Sequence, residues 1–382
     1  MPEKGADETE AGKFKLGYQP SLDGLRGIAI LAVMAFNGHL LFMEGGFLGV
    51  DVFFVLSGFL ITSILLQGYS ETSRFDFKNF YVRRALRLLP ALLALIVFVV
   101  AFALVFESGD RLSNTVTGVI YTLFYVANWA QVPPFPPGIG PLSHAWSLSV
   151  EEQFYIVWPL LLFLLLRLRS RVVLIAAVVA MILASSIASV LMWNAGVPYL
   201  RMYFGSDVRA HELLIGCLAA LMLYWGVFSD KEKLKTAFQI LAPLSLAGIL
   251  FSFFAVSHQT GFVYNGGFAL VSLATAVLIL GLVLYPSKLS RVFEFGPLVW
   301  IGQISYGLYL WHFPVIEGTR KFFEGSMPPV LLSTAGVLMS VGVAAVSYYL
   351  LELRFLRLKR RFRKETRSKP IVVPKPTTAE SV

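Results

Sequence analysis

The spacing of its apolar runs constrains this chain most. At roughly 24–43, 47–67, 88–106, 145–166, 172–193, 209–227, 237–256, 266–285, 298–317 and 329–351 it holds mainly apolar stretches of about twenty residues, the length an α-helix needs to cross a ~30 Å hydrocarbon core. A content of 57% hydrophobic and 14% charged residues, with a mean hydropathy of +0.71, excludes a soluble globular chain. The expected fold is an all-α integral membrane protein of about ten transmembrane helices over 21–352. A disordered lead, 1–20, precedes it and a basic tail, 353–382, follows, too short and too polar for a second domain.

An eleventh stretch, roughly 114–132, is ambiguous because it contains Asn114, Asn128 and Gln131 and runs into the sequence PPFPPGIGP. Charge decides it, since basic residues collect in cytoplasmic connections. With ten spans and the N-terminus inside, the inner connections hold Arg74, Lys78, Arg83, Arg84 and Arg87, then Arg167, Arg169 and Arg171, then Lys231, Lys233 and Lys235, then Lys288 and Arg291. The outer ones hold only Arg111, Arg201 and the Arg320–Lys321 pair. An eleventh crossing would invert every later connection. Segment 114–132 is therefore expected to be re-entrant or surface-lying, with both termini cytoplasmic. The net charge of +9 reports orientation and contact with the lipid bilayer, and no nucleic-acid role follows from it. A single cysteine, Cys217, excludes an intrachain disulfide, and no metal-ligand spacing occurs.

Ionisable and hydrogen-bonding groups inside a span are costly, so they mark a site by default. Arg26, Asn37, His39, Asp51 and Ser57 interrupt the first two runs. Two depths are distinguishable. At the inner mouth Arg26, Arg83, Arg84 and Arg87 form a cationic cluster suited to phosphate oxygens, with Arg84 and Arg87 sharing a helix face at i, i+3, while Arg83 alone equally suits plain positive-inside topology. Toward the outer side lie Asn37, His39, Asp51, His144, Glu151, Glu152, Asp207, Arg209, His211, Glu212 and His312, a polar population suited to a polyol and to general-base chemistry. His144, Ser147 and Glu151 share a face. Glu151 and Glu152 equally suit an internal ion pair with Arg209 or another basic group, and Asp207, Arg209 and Glu212 a self-neutralising structural cluster. Ser305, Tyr306 and His312 are cavity candidates on the ninth span, where Tyr306, Tyr309 and Trp311 equally suit packing or the interfacial belt.

Five motifs in order, LDGLRGIA with GGFLGVDVFFVLSGFLIT, YVRRALRLLP, SHAWSLSVEEQFYIVWP, DVRAHELLIGCLAA and ISYGLYLWHFPV, resemble the membrane acyltransferase-3 family of O-acetylases, over about 21–352. The resemblance implies a multi-pass protein of the bacterial plasma membrane. It implies an enzyme moving an acyl group from cytoplasmic acyl-CoA, with acetyl-CoA the expected donor, to a hydroxyl of a glycan or hydroxylated small-molecule acceptor, without a bound cofactor or metal. It places coenzyme A against Arg26, Arg84 and Arg87. Asp51, Ser147, Glu152, Arg209, Ser305, Tyr306 and His312 are cavity candidates.

One position departs from the family pattern. Its members carry a histidine after ten residues following the first-span arginine, regarded as catalytic, and this chain has Asn37 there. Asparagine does not titrate near neutral pH. On a regular helix eleven residues return to within about 20° of Arg26, whereas His39 points about 140° away. Three outcomes stay open: an impaired member, a base supplied by His39 on a distorted helix or by His144 with Glu151, or a ligand-binding or transport protein without chemistry.

Overall fold

The computed structural model describes residues 16–40, 42–72, 75–133, 139–168, 170–228 and 230–359. Most of the expected lead and tail, with Arg74, Arg169 and much of the Pro-rich stretch, lies outside the described residues. The helices are α1 (Pro20–Asn37), α2 (Gly49–Thr72), α3 (Phe77–Phe106), α4 (Gly109–Leu123), α5 (Trp146–Arg167), α6 (Arg171–Asn194), α7 (Tyr199–Phe204), α8 (Ser206–Tyr224), α9 (Lys231–Ala255), α10 (Phe268–Leu284), α11 (Lys288–Phe293), α12 (Gly296–Gln303), α13 (Ser305–Phe323), α14 (Pro329–Ser347) and α15 (Leu353–Lys359). Among the described residues there is no strand.

Seven helical stretches are long and apolar enough to cross a membrane: Gly46–Glu71, Phe77–Phe106, Gly140–Arg167, Arg171–Asn194, Glu232–Ala255, Val263–Leu284 and Pro329–Leu358. They make the chain an integral membrane protein. Three of the ten expected runs fall short, those of α1, α8 and α13, and all three carry ionisable residues: Arg26 in α1, Arg209 and Glu212 in α8, and Glu317, Arg320 and Lys321 in α13. Such residues are tolerated where other helices enclose them. Accordingly α1 is flanked by two apolar clusters, Leu25, Ala29 and Ala32 facing one and Ile30, Val33 and Met34 the other. The eleventh stretch resolves into the 15-residue α4 and a 3-10 turn, Trp129–Gln131, each too short to span.

Small residues set how closely these helices approach. In lipid, packing and interhelical hydrogen bonds replace the hydrophobic drive between helices. At the α2–α8 crossing a Cβ on Gly58 would collide with the Leu213 carbonyl, and one on Gly216 with the Val55 carbonyl, so both positions must be glycine. Prolines act differently, because each removes the N–H that would occupy the carbonyl four residues earlier. Pro159 lies inside α5, and the Tyr155 carbonyl accepts from the Tyr81 hydroxyl at 3.3 Å. Pro314 frees the Leu310 carbonyl of α13 in the same way.

Two boundaries differ from expectation. The first run was expected to continue to 43, but α1 ends at Asn37. Leu40 N–H bonds the Ala35 carbonyl at 2.8 Å and His39 N–H the Phe36 carbonyl at 3.0 Å, the bond pair of a Schellman ending, with His39 at φ 48° in the left-handed position usually held by glycine. The third helix starts at Phe77, so Arg83, Arg84 and Arg87 lie on its first turns rather than in a connection.

Candidate active site

At the basic end, the three expected arginines do different things. Arg84 grips Glu152 of α5 with Nε at 3.0 and 3.2 Å and Nη2 at 2.6 Å from the carboxylate oxygens, and its guanidinium lies over the Tyr155 ring at 3.2 Å. Its charge is thus committed within the fold. Arg26 and Arg87 lie within electrostatic reach of each other. Neither makes a hydrogen bond or ion pair among the described residues. Asp23 and Glu352 lie within electrostatic reach of Arg87, and Glu151 within that of Arg26, but the two cations still repel each other, which an anionic ligand would relieve.

Arg26 also lines a small cavity of about 70 Å³ with Ser57, Ser147, Glu151, Ser305 and Tyr306. Inside it Ser57 donates to Glu151 at 2.7 Å, and Tyr306 is tied to the Leu88 carbonyl at 2.8 Å. A second chamber of about 220 Å³ lies toward the other end of α1, lined by Asn37, His144, Gln131, Tyr203, His258 and Phe313 among others. Tyr309 and Val50 line both spaces and form the partition between them. Tyr309 donates its hydroxyl proton to the His144 carbonyl at 2.6 Å and lies 2.5 Å from Ser147 Oγ. Beyond the chamber a groove of about 1190 Å³ begins, sharing Ser143 and Phe313 with it and including Phe98, Phe102, Arg111 and Lys321 in its walls.

Two histidines are held by main-chain carbonyls. The Leu310 carbonyl, released by Pro314, accepts from His144 Nε2 at 3.1 Å. His312 Nδ1 faces the Tyr309 and Leu308 carbonyls at 2.7 and 3.2 Å and must carry the proton there, so Nε2 accepts from the Asn37 amide at 3.0 Å. The two rings stand 5.5 Å apart, and the His144 ring stacks on Phe313 at 5.3 Å.

The structure therefore brings Arg26, Ser147, Glu151, Ser305 and Tyr306 to one cavity and Asn37 and His144 to the next, with His312 fully buried behind Asn37. It does not bring His39 there; that residue is exposed beyond the end of α1. Asp51 and Arg209 line neither space. Arg209 is enclosed with Asp51 Oδ1 at 3.1 Å, Glu212 Oε1 at 2.8 Å and the Phe268 ring at 3.7 Å, pinning α8 to α2, while Asp207 pairs with Arg201 instead. Glu152 finds Arg84, not Arg209. Tyr309 and His258 were missed as site residues: Tyr309 reads as one more packing aromatic, and His258 sits between two apolar runs with no signal in its neighbours.

The acyltransferase domain family model matches residues 19–349. The peptidoglycan O-acetyltransferase OatA of Listeria monocytogenes is 36% identical over 350 residues, covering 89% of this chain and 56% of that protein. The O-acetyltransferase OatA of Staphylococcus aureus strain NCTC 8325 is 36% identical over 346 residues, 88% of this chain and 57% of that protein. The chain thus spans a little over half the length of these relatives. No solved structure matches it. With a match covering most of its length, the chain belongs to the acyltransferase domain family.

Proposed function

We propose that this chain is a membrane O-acyltransferase that takes an acetyl group from acyl-CoA at its basic end and passes it to an acceptor hydroxyl in the chamber beside Asn37. The observation that carries this is the Arg26–Arg87 pair, two guanidinium groups that make no hydrogen bond or ion pair among the described residues, one of which lines a cavity that shares Tyr309 and Val50 with the chamber. Guanidinium forks suit the phosphates of coenzyme A. Residue 37 lies about 16 Å from Arg26 along α1, so the donor's acyl end has to pass the Tyr309 partition to reach the chamber. There a neutral imidazole takes the hydroxyl proton as the oxygen attacks the thioester carbonyl, and the coenzyme A thiolate leaves.

The basic connections support ten crossings with both termini in the cytoplasm of a bacterium, so donor and acceptor meet from opposite sides of its plasma membrane. The wide groove beside Phe313 supplies the acceptor's approach. Two relatives are O-acetyltransferases, one of them named for peptidoglycan, and a glycan hydroxyl is accordingly the acceptor class. In detergent or vesicles, purified protein given acetyl-CoA and peptidoglycan fragments is expected to release free coenzyme A thiol in step with ester formed. Ligand movement without thiol release would identify a transporter and sink the proposal.

A further inference from the structure

With asparagine where the family pattern has its histidine, the chamber needs another proton acceptor, and the chain has five histidines to supply it: His39, His144, His211, His258 and His312. Geometry removes four. His39 is exposed outside the chamber. His211 is buried away from it, with Nδ1 3.3 Å from Ser185 Oγ. His312 has both nitrogens occupied and is fully buried. His144 borders the chamber, but Nε2 is taken by the Leu310 carbonyl and Nδ1 is buried. His258 also lines the chamber, is only half-buried, and its ring nitrogens make no hydrogen bond among the described residues.

We infer that His258 is the general base of this chain, standing in for the histidine that the family pattern puts at position 37. This rests on the acyl-transfer function proposed above. The ring is held by aromatic neighbours rather than by hydrogen bonds, with Phe36, Phe47, Tyr199 and Tyr203 at centroid distances of 5.9, 5.8, 6.1 and 6.2 Å. This packing fixes the imidazole while leaving its lone pair free. The main chain is anchored as well, because the Tyr264 hydroxyl donates to the His258 carbonyl at 2.8 Å.

A second element supplies the counter-charge. Gly45 N–H bonds the Phe253 carbonyl at 2.9 Å, and the missing Cβ of Gly45 lets its turn sit directly on the Ser252 carbonyl at the end of α9. Glu44 is thereby brought within electrostatic reach of His258. The other titratable groups facing the ring are Tyr199 and Tyr203, with His144 across the chamber. Burial holds the imidazole below its ordinary value of 6.5 despite Glu44, so it is neutral at neutral pH and ready to accept a proton. In the step, one nitrogen of His258 takes the acceptor's O–H proton, the oxygen bonds to the acyl carbon and the C–S bond breaks. The proton then passes to the departing thiolate, giving free coenzyme A and restoring the imidazole.

The test is acetyl transfer to peptidoglycan fragments by full-length protein at saturating acetyl-CoA, across pH, in four forms. His258→Phe keeps the aromatic packing and His258→Gln keeps polarity without titrating near neutral pH. Either is expected to lower kcat about 10²–10⁴-fold with donor KM unchanged, and to abolish an acidic limb lying below pH 6.5 in the wild type. The double variant Asn37→His, His258→Phe is expected to regain transfer, which a merely structural loss would not allow. Transfer by His258→Phe and His258→Gln with the wild-type rate and acidic limb overturns this inference and leaves the acyl-transfer function standing. A wild-type protein that binds acetyl-CoA but releases no thiol with acceptor overturns both.

Discussion

The amide of Asn37 donates to Nε2 of His312 at 3.0 Å, joining α1 to α13 at the wall of the chamber. The bond has a fixed direction, because two α13 carbonyls hold the proton on His312 Nδ1. Asn37 is therefore the donor that satisfies a buried nitrogen. Asn37→Leu leaves that nitrogen without a partner, and a loss of about 1–3 kcal/mol in folding stability is expected. Thermal unfolding of purified protein in detergent checks it, with Asn37→Gln expected to lose less.

Arg26 and Arg87 differ from Arg84 in what their removal does. Loss of a charge-assisted bond to phosphate costs about 1.5–3 kcal/mol, so Arg26→Gln and Arg87→Gln are expected to raise the Kd for acetyl-CoA about 10- to 100-fold with little change in melting temperature. Arg84→Gln uncovers Glu152 and is expected to lower the melting temperature first. Calorimetric titration with coenzyme A beside thermal unfolding separates the two behaviours.

Tyr309 stands between the spaces that hold donor and acceptor, closed by two hydroxyl contacts. At ~1 kcal/mol for each bond, Tyr309→Phe makes opening of the partition roughly ten- to thirtyfold easier. The expected outcome is more release of coenzyme A in the absence of acceptor, relative to coupled transfer. An unchanged ratio of the two would show that the hydroxyl does not hold the partition.

Pro314 shapes the chamber through a bond it cannot make. In Pro314→Ala a new N–H competes for the Leu310 carbonyl that now holds His144. Melting temperature is expected to stay level or rise, since a helix interior gains a hydrogen bond and loses a proline. Acetyl transfer is expected to fall as the His144 ring loses its anchor. Measuring kcat and unfolding on one preparation checks both directions.

Much of the site was legible because polar residues inside apolar runs have few places to go. Arg26, Ser147, Glu151, Ser305 and Tyr306, drawn from three separate helices, reach one cavity, so Arg26 shares a space with Ser147 and Glu151 that were expected at another depth. Pairings were less legible. A basic cluster at i, i+3 reads as a phosphate site, yet Arg84 faces Glu152 across α3 and α5, and no spacing within one helix reveals what the opposite helix presents. Asp51 and Arg209 were expected in the cavity for the same reason. Arg209 instead sits between Asp51 and Glu212 in a closed layer.

By itself the sequence determined an all-helical membrane chain, the position of its long helices, the motifs of its family and the absence of histidine at position 37, because all of these follow from local polarity and order along the chain. Only the tertiary structure decided which side chains are free. Arg87 is unpaired while Arg84 is not. His144 and His312 are tied to main-chain carbonyls while His258, more than two hundred residues after Asn37, faces the same chamber with its nitrogens open. The physical reason is that a buried polar group's role is set by the partner that satisfies it, and in a helical bundle that partner comes from another helix.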